Sequence, residues 1–84
     1  MHGVTKHNII VAGHRTTVRL EPVMWEALRD IANRQGRSVS RLATEIDRDR
    51  TTLSLTAALR VYVVEYYQTV LSRVDERSAT TPSR

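Results

Sequence analysis

The chain is 84 residues long, carries a formal net charge of +4 and contains no cysteine. That length makes one small domain, near the size at which a single core only just suffices, and the lack of thiols excludes disulfides and cysteine-ligated metals. The one apolar run near the N-terminus, Ile9-Ile10-Val11-Ala12, is too short for a signal-peptide core and nothing approaches the length of a membrane span, so a cytoplasmic protein without membrane contact is expected.

The charge is unevenly placed. Residues 1–20 hold Lys6, Arg15 and Arg19 and no acid, residues 21–50 balance six arginines against six acids, and residues 51–84 set four arginines against three acids. The excess sits at the N-terminal end, where it suits a polyanionic partner.

Residues 1–13 contain Gly3, Gly13 and a polar stretch and are expected to form a flexible N-terminal arm. From His14 to Leu20 the residues alternate, with Thr16, Val18 and Leu20 pointing one way and Arg15, Thr17 and Arg19 the other. This is the only strand the pattern predicts, which makes the fold mainly α with one β-strand per chain. A lone strand leaves its main-chain N–H and C=O groups without partners, and the simplest source of partners is the same strand of a second copy. The expected architecture is therefore an obligate, intertwined homodimer with an intermolecular antiparallel two-stranded ribbon. Pairing of this strand inside its own chain removes that argument and, with it, the expected blade of arginines projecting from two copies of the strand.

Glu21-Pro22 ends the strand and opens a helix, because proline lacks an N–H donor and is tolerated in the first helical turn. Met24, Trp25, Leu28, Ile31 and Ala32 recur at helical spacing, and Gly36 supplies a left-handed stop. Ser38 is a good N-cap for a second helix with the stripe Val39, Leu42, Ala43 and Ile46, running to about Asp47 or Arg48.

Beyond this core of residues 14–50, Val61 to Tyr67 has a strand-like composition. Leu55, Leu59, Tyr62, Tyr66 and Val70 nevertheless keep helical spacing, and no turn signal interrupts them. Residues 51–74 are therefore read as an additional helix, capped by Thr52 or Ser54, that supports the dimer, and residues 75–84 as a disordered tail. Val18, Leu20, Trp25, Leu28, Leu42 and Ile46 are the expected dimer core, with Tyr62, Tyr66 and Tyr67 as packing residues. Glu26 with Arg29 and Asp30 with Arg34 have the spacing of solvated ion pairs.

A basic strand, a helix, a tight turn at Gly36-Arg37-Ser38-Val39 and a second helix, in this order, resemble the Arc/MetJ-like ribbon-helix-helix family of DNA-binding proteins over residues 14–48. A longer bacterial variant of that family is similar in two further stretches. These are Arg15-Thr16-Thr17-Val18-Arg19-Leu20-Glu21-Pro22-Val23-Met24-Trp25 and Leu53-Ser54-Leu55-Thr56-Ala57-Ala58-Leu59-Arg60.

The resemblance implies a sequence-specific DNA-binding protein, a bacterial transcriptional regulator such as a repressor, associated with the nucleoid. Its dimeric ribbon would enter the major groove of double-stranded DNA. Arg15, Thr17 and Arg19 would contact bases, since arginine matches the acceptor pair of guanine and threonine offers a hydroxyl and a methyl. Arg37, Ser38 and the start of the second helix at Val39 and Ser40, together with Lys6, would contact phosphates. The alternative is an antitoxin-like or scaffold protein whose third helix and tail hold a protein partner. No nucleophile elbow, phosphate loop, cofactor fingerprint or carboxylate pair occurs, and His2, His7 and His14 lack metal-site spacing. The chain is read as no enzyme, with no cofactor and no metal.

Overall fold

The computed structural model describes residues 3–79, with side chains as far as Arg73. The chain runs β1 (Thr5–Val11), β2 (His14–Leu20), α1 (Pro22–Arg34), α2 (Val39–Asp49) and α3 (Leu55–Ala79). β1 and β2 form an antiparallel hairpin in register from Thr5↔Leu20 to Val11↔His14. Ala12 and Gly13 link them at φ 52° and 83°, the positive values a two-residue type I′ turn requires for the twist of its flanking strands.

The hairpin corrects two expectations. Residues 5–11 are a strand and not part of a flexible arm, and β2 finds its ladder partner within its own chain. The chain thus has two strands where one was expected, and the argument from a lone strand to an obligate intertwined dimer does not hold. The physical reason lies on the inner face, where Ile9 and Val11 of β1 are buried beside Val18 and Leu20 of β2. Docking β1 therefore covers apolar surface as well as satisfying the ladder.

The first two helices start where the sequence predicts, α2 ends a residue or so later at Asp49, and α3 runs from Leu55 to Ala79 instead of over 51–74. Pro22 opens α1, and Gly36 at φ 70° closes it. The N–H of Arg37 reaches the Ala32 carbonyl at 3.0 Å and that of Gly36 reaches Asn33 at 3.1 Å, the paired bonds of a Schellman stop. Ser38 Oγ accepts the Arg41 N–H at 3.1 Å to cap α2, and Ser54 Oγ accepts the Ala57 N–H at 3.1 Å ahead of α3. α3 continues through residues 75–79, which were expected to be disordered; residues 80–84 lie outside the described part.

One core joins the hairpin to all three helices. Val18, Leu20, Trp25, Leu28, Leu42 and Ile46 are each at most 8% exposed within a single chain. The residues expected to be shared across a dimer are thus already covered by the chain's own elements. Trp25 Nε1 donates to the Thr5 carbonyl at 2.9 Å and its ring meets His7 edge-on at 4.7 Å, so α1 clamps the start of β1.

Polar bonds tie α3 to this body. Arg60 grips Glu21 with three bonds of 2.8 to 3.2 Å, and the Glu21 carboxyl is held below its ordinary range by a backbone N–H bond and then by Arg60. The Tyr67 hydroxyl donates to Asp30 Oδ2 at 2.7 Å, and Arg34 Nε donates to the same oxygen at 3.0 Å. These bonds, the tyrosine's first, depress the Asp30 carboxyl.

Ala12 sits in a left-handed conformation that costs a β-carbon residue about 1 kcal/mol, so Ala12→Asn should raise the unfolding free energy by about that amount in urea melts. Asp30 is depressed in the folded state, so its contribution to stability is complete above its unfolded pKa and fades as pH falls below about 4. Tyr67→Phe should therefore be less stable than the parent at pH 7, and the two should converge in acid. Parallel thermal-unfolding profiles from pH 7 to 2 would contradict the role given to the Tyr67–Asp30 bond.

Candidate nucleic-acid interface

Alternation along the hairpin assigns every side chain to one of two faces. The cross-strand pairs Lys6↔Arg19, Asn8↔Thr17 and Ile10↔Arg15 lie opposite the buried Ile9, Val11, Val18 and Leu20, and all six of their residues are exposed. Arg15, Thr17 and Arg19 share one surface, as the strand pattern required. Lys6, expected on a mobile arm, is fixed in the ladder opposite Arg19 and adds a third cation to that surface. Asn8 and Ile10 join it as well. Reading residues 1–13 as an arm hid them, although their two-residue spacing from Lys6 would have placed them had a strand been assumed.

The two edges of the hairpin differ. The Ile10 N–H donates to Ser40 Oγ at 3.0 Å, the Thr44 hydroxyl approaches the Ile10 carbonyl at 3.4 Å, and the Ala12 N–H donates to Thr44 Oγ1 at 3.0 Å. α2 therefore covers the outer edge of β1 near the turn. These bonds also fix the ladder's parity, because an Ile10 N–H turned towards α2 is not shared with Arg15. By alternation, the main-chain groups of Arg15, Thr17 and Arg19 point away from β1. Among the described residues none bonds to them, so β2 presents an open edge.

The residues expected to contact phosphates differ in their surroundings. Arg37 is engaged within the chain: Nη1 lies 2.6 Å from Glu45 Oε2 and Nε donates to Gln35 Oε1 at 2.8 Å, and this contact holds the Glu45 carboxyl below its ordinary range. The Ser38 hydroxyl caps α2, and the Ser40 hydroxyl accepts from Ile10. What α2 offers an anion is its first-turn backbone at Val39 and Ser40, with the favourable end of the helix dipole. Two further arginines of α2 lie nearby. Arg41 and Arg48 line a shallow depression with Ser38, Ser40, Thr44, the Glu45 carboxylate and Ile10, the last also on the outer face of the hairpin. Among the described residues no group of histidines and acids is placed to hold a metal ion, and no helix is long and apolar enough to cross a membrane.

The architecture of a basic strand, two capped helices and a tight turn is matched by a family profile described as a ribbon-helix-helix domain, over residues 4–67. The chain belongs to the ribbon-helix-helix family, a family of DNA-binding regulators and antitoxin-type proteins that form dimers and are in general not enzymes. Among solved structures it is similar to an uncharacterized protein from Bordetella pertussis Tohama I, at 29% identity and a TM-score of 0.66. That match covers 83% of this chain but only 59% of the other. No curated protein matches the sequence.

Proposed function

We propose that the chain is a sequence-specific DNA-binding regulator that reads the major groove with the outer face of its hairpin. The observation that carries this reading is the juxtaposition of Lys6, Arg15 and Arg19 on one exposed, acid-free face around Asn8 and Thr17. Arg15, Thr17 and Arg19 contact base edges, and Lys6, Arg41, Arg48 and the Val39–Ser40 backbone contact phosphates. Arg37 supports the fold through Glu45 and does not contact DNA directly.

The active unit in this reading is a homodimer joined through the open edge of β2. Two copies of that edge zip antiparallel about a two-fold axis into a sheet ordered β1-β2-β2-β1, with the outer faces continuous. Strands lie about 4.8 Å apart, so the outermost axes are about 14 Å from one another, slightly more than the major groove of about 12 Å. The two β2 strands enter the groove and the β1 strands ride its walls, where the long Lys6 side chain reaches phosphate. Two-fold symmetry in the protein requires a repeated or palindromic site.

A second feature bears on what α3 does. The helix is apolar on two opposite faces: Ala58, Leu59 and Val63 enter the core, while Val61, Val64 and Leu71 are 42%, 48% and 62% exposed. Their positions, with Gln68 between, follow the alternating three- and four-residue steps of a helix–helix seam. This favours α3 pairing with α3 of a second copy and so reinforcing the dimer. The alternative is a protein partner on the same line, as in antitoxin-type relatives.

Selection of duplexes from a random pool tests the reading directly, since it should enrich one two-fold repeated motif. On that motif Arg19→Ala should cost about 1 to 3 kcal/mol of discrimination at one base pair per half-site. Lys6→Ala should instead weaken all sequences alike and reduce the salt slope by about one. Equal losses on the motif and on random duplex for Arg19→Ala would remove it from base reading. Val64→Glu should weaken dimerisation and DNA affinity together in sedimentation and binding titrations; a fully dimeric Val64→Glu protein would assign the α3 seam to another partner.

A further inference from the structure

We propose that Asn8 and Thr17 act as one composite reader of adenine, so that base specificity comes from both strands of the hairpin. The inference rests on the DNA-binding reading above and extends it to a residue of β1. Asn8 and Thr17 are directly opposite each other at the middle of the outer face, and the Thr17 hydroxyl donates to Asn8 Oδ1 at 2.6 Å. Both side chains are exposed, so the bond holds two polar groups ready at the surface and satisfies no buried atom.

The bond determines what each group still offers. Thr17 has given its one proton to Asn8, leaving its oxygen as an acceptor, while the Asn8 amide nitrogen keeps its donors. Turning the amide over exchanges the two roles and still leaves one donor beside one acceptor. In the major groove adenine shows an acceptor, N7, beside a donor, the N6 amino group, whereas guanine shows two acceptors. The Asn8 amide meets N7 and the Thr17 oxygen accepts from N6. Against guanine, the Thr17 oxygen faces O6 with no proton to share. The Asn8 carbonyl oxygen keeps a second lone pair, but the Thr17 hydroxyl beside it competes with the adenine amino group for that oxygen, so the pair shares the contact that Asn8 alone would make.

Position favours Asn8 over its neighbours on β1. In the dimer the β1 axis lies about 7 Å from the centre of the sheet, just outside the half-width of the groove of about 6 Å. The bond to Thr17 draws the Asn8 head towards β2 and inside that limit. Lys6 opposite Arg19 and Ile10 opposite Arg15 have no such bond in the structure, which leaves them on the groove walls.

The test begins with the motif selected by the wild-type protein, and repeats the selection with Asn8→Ala and Thr17→Val. One adenine per half-site should lose its preference in both variants, by about fivefold to a hundredfold, while positions that depend on Arg15 and Arg19 keep theirs. Base analogues add a measurement on unaltered protein. Replacing that adenine by 7-deazaadenine, which lacks N7, or by purine, which lacks the amino group, should weaken wild-type binding. Asn8→Ala should be indifferent to the first change and Thr17→Val to the second. An unchanged adenine preference in both variants, or wild-type indifference to both analogues at every adenine of the motif, overturns the composite reader while leaving the DNA-binding reading intact. Failure of the wild-type protein to select any motif overturns both.

Discussion

The pairing of β1 with β2 is the constraint on which the rest of the molecule is built. A hairpin closed by Ala12-Gly13 forces strict alternation on fourteen strand residues, seven in each strand, and alternation divides chemistry between two faces. Ile9, Val11, Val18 and Leu20 go inward and define the floor on which Trp25, Leu28, Leu42 and Leu59 settle. Lys6, Arg15 and Arg19 go outward, where their charges stay hydrated. A slip of one residue in register would exchange the two sets, burying the cations and exposing the floor. The apolar contacts that stabilise the fold therefore also fix which side chains can meet a ligand.

The helices secure that register from three sides. Trp25 holds the Thr5 end of β1, Ser40 and Thr44 hold the end near the turn, and Arg60 reaches from α3 to Glu21 at the exit of β2. Glu21 and Arg60 lie in the two stretches, Leu20-Glu21-Pro22 and Leu59-Arg60, that appeared in the sequence as separate motifs, and in space they form one forked ion pair. At the surface such a pair contributes little stability by itself. Its geometric consequence is larger, since it fixes the start of α1 and the first turns of α3 relative to the same strand end. The Tyr67–Asp30–Arg34 cluster does the same one side further along α3.

Much of this was legible from residue patterns. The strand from His14 to Leu20, the stops at Pro22 and Gly36, the cap at Ser38 and the helical character of Val61 to Tyr67 all rest on local rules, and the structure follows them, choosing Ser54 over Thr52 as the cap of α3. β1 escaped because its signals are weak one by one. Its inner row of Thr5, His7, Ile9 and Val11 is half polar, and the Ala12-Gly13 turn lacks the Asn or Asp that marks a hairpin of this kind. The strand is secured by tertiary contacts, from Trp25, Ser40 and Thr44, that no local window contains. The surroundings of Arg37 were hidden for a similar reason. Its position beside a helix start suits a phosphate, and its ion pair with Glu45, two turns into α2, is a tertiary contact that local spacing does not announce.

An intramolecular hairpin changes what dimerisation has to accomplish. A chain with one strand needs its partner in order to complete the ladder and bury Val18 and Leu20, so folding and association are one event. Here both are achieved inside the chain, with Val18 at 2% and Leu20 at 0% exposure. Association at the β2 edge, as proposed, would then add main-chain bonds through Arg15, Thr17 and Arg19 and little new apolar burial. It also brings arginines of two copies side by side, a like-charge contact that opposes pairing until a polyanion offsets it. The exposed line of Val61, Val64 and Leu71 supplies apolar area of the kind the strand edge lacks. In the proposed dimer α3 would provide affinity between copies and β2 alignment, and DNA would relieve the repulsion that the aligned arginines create.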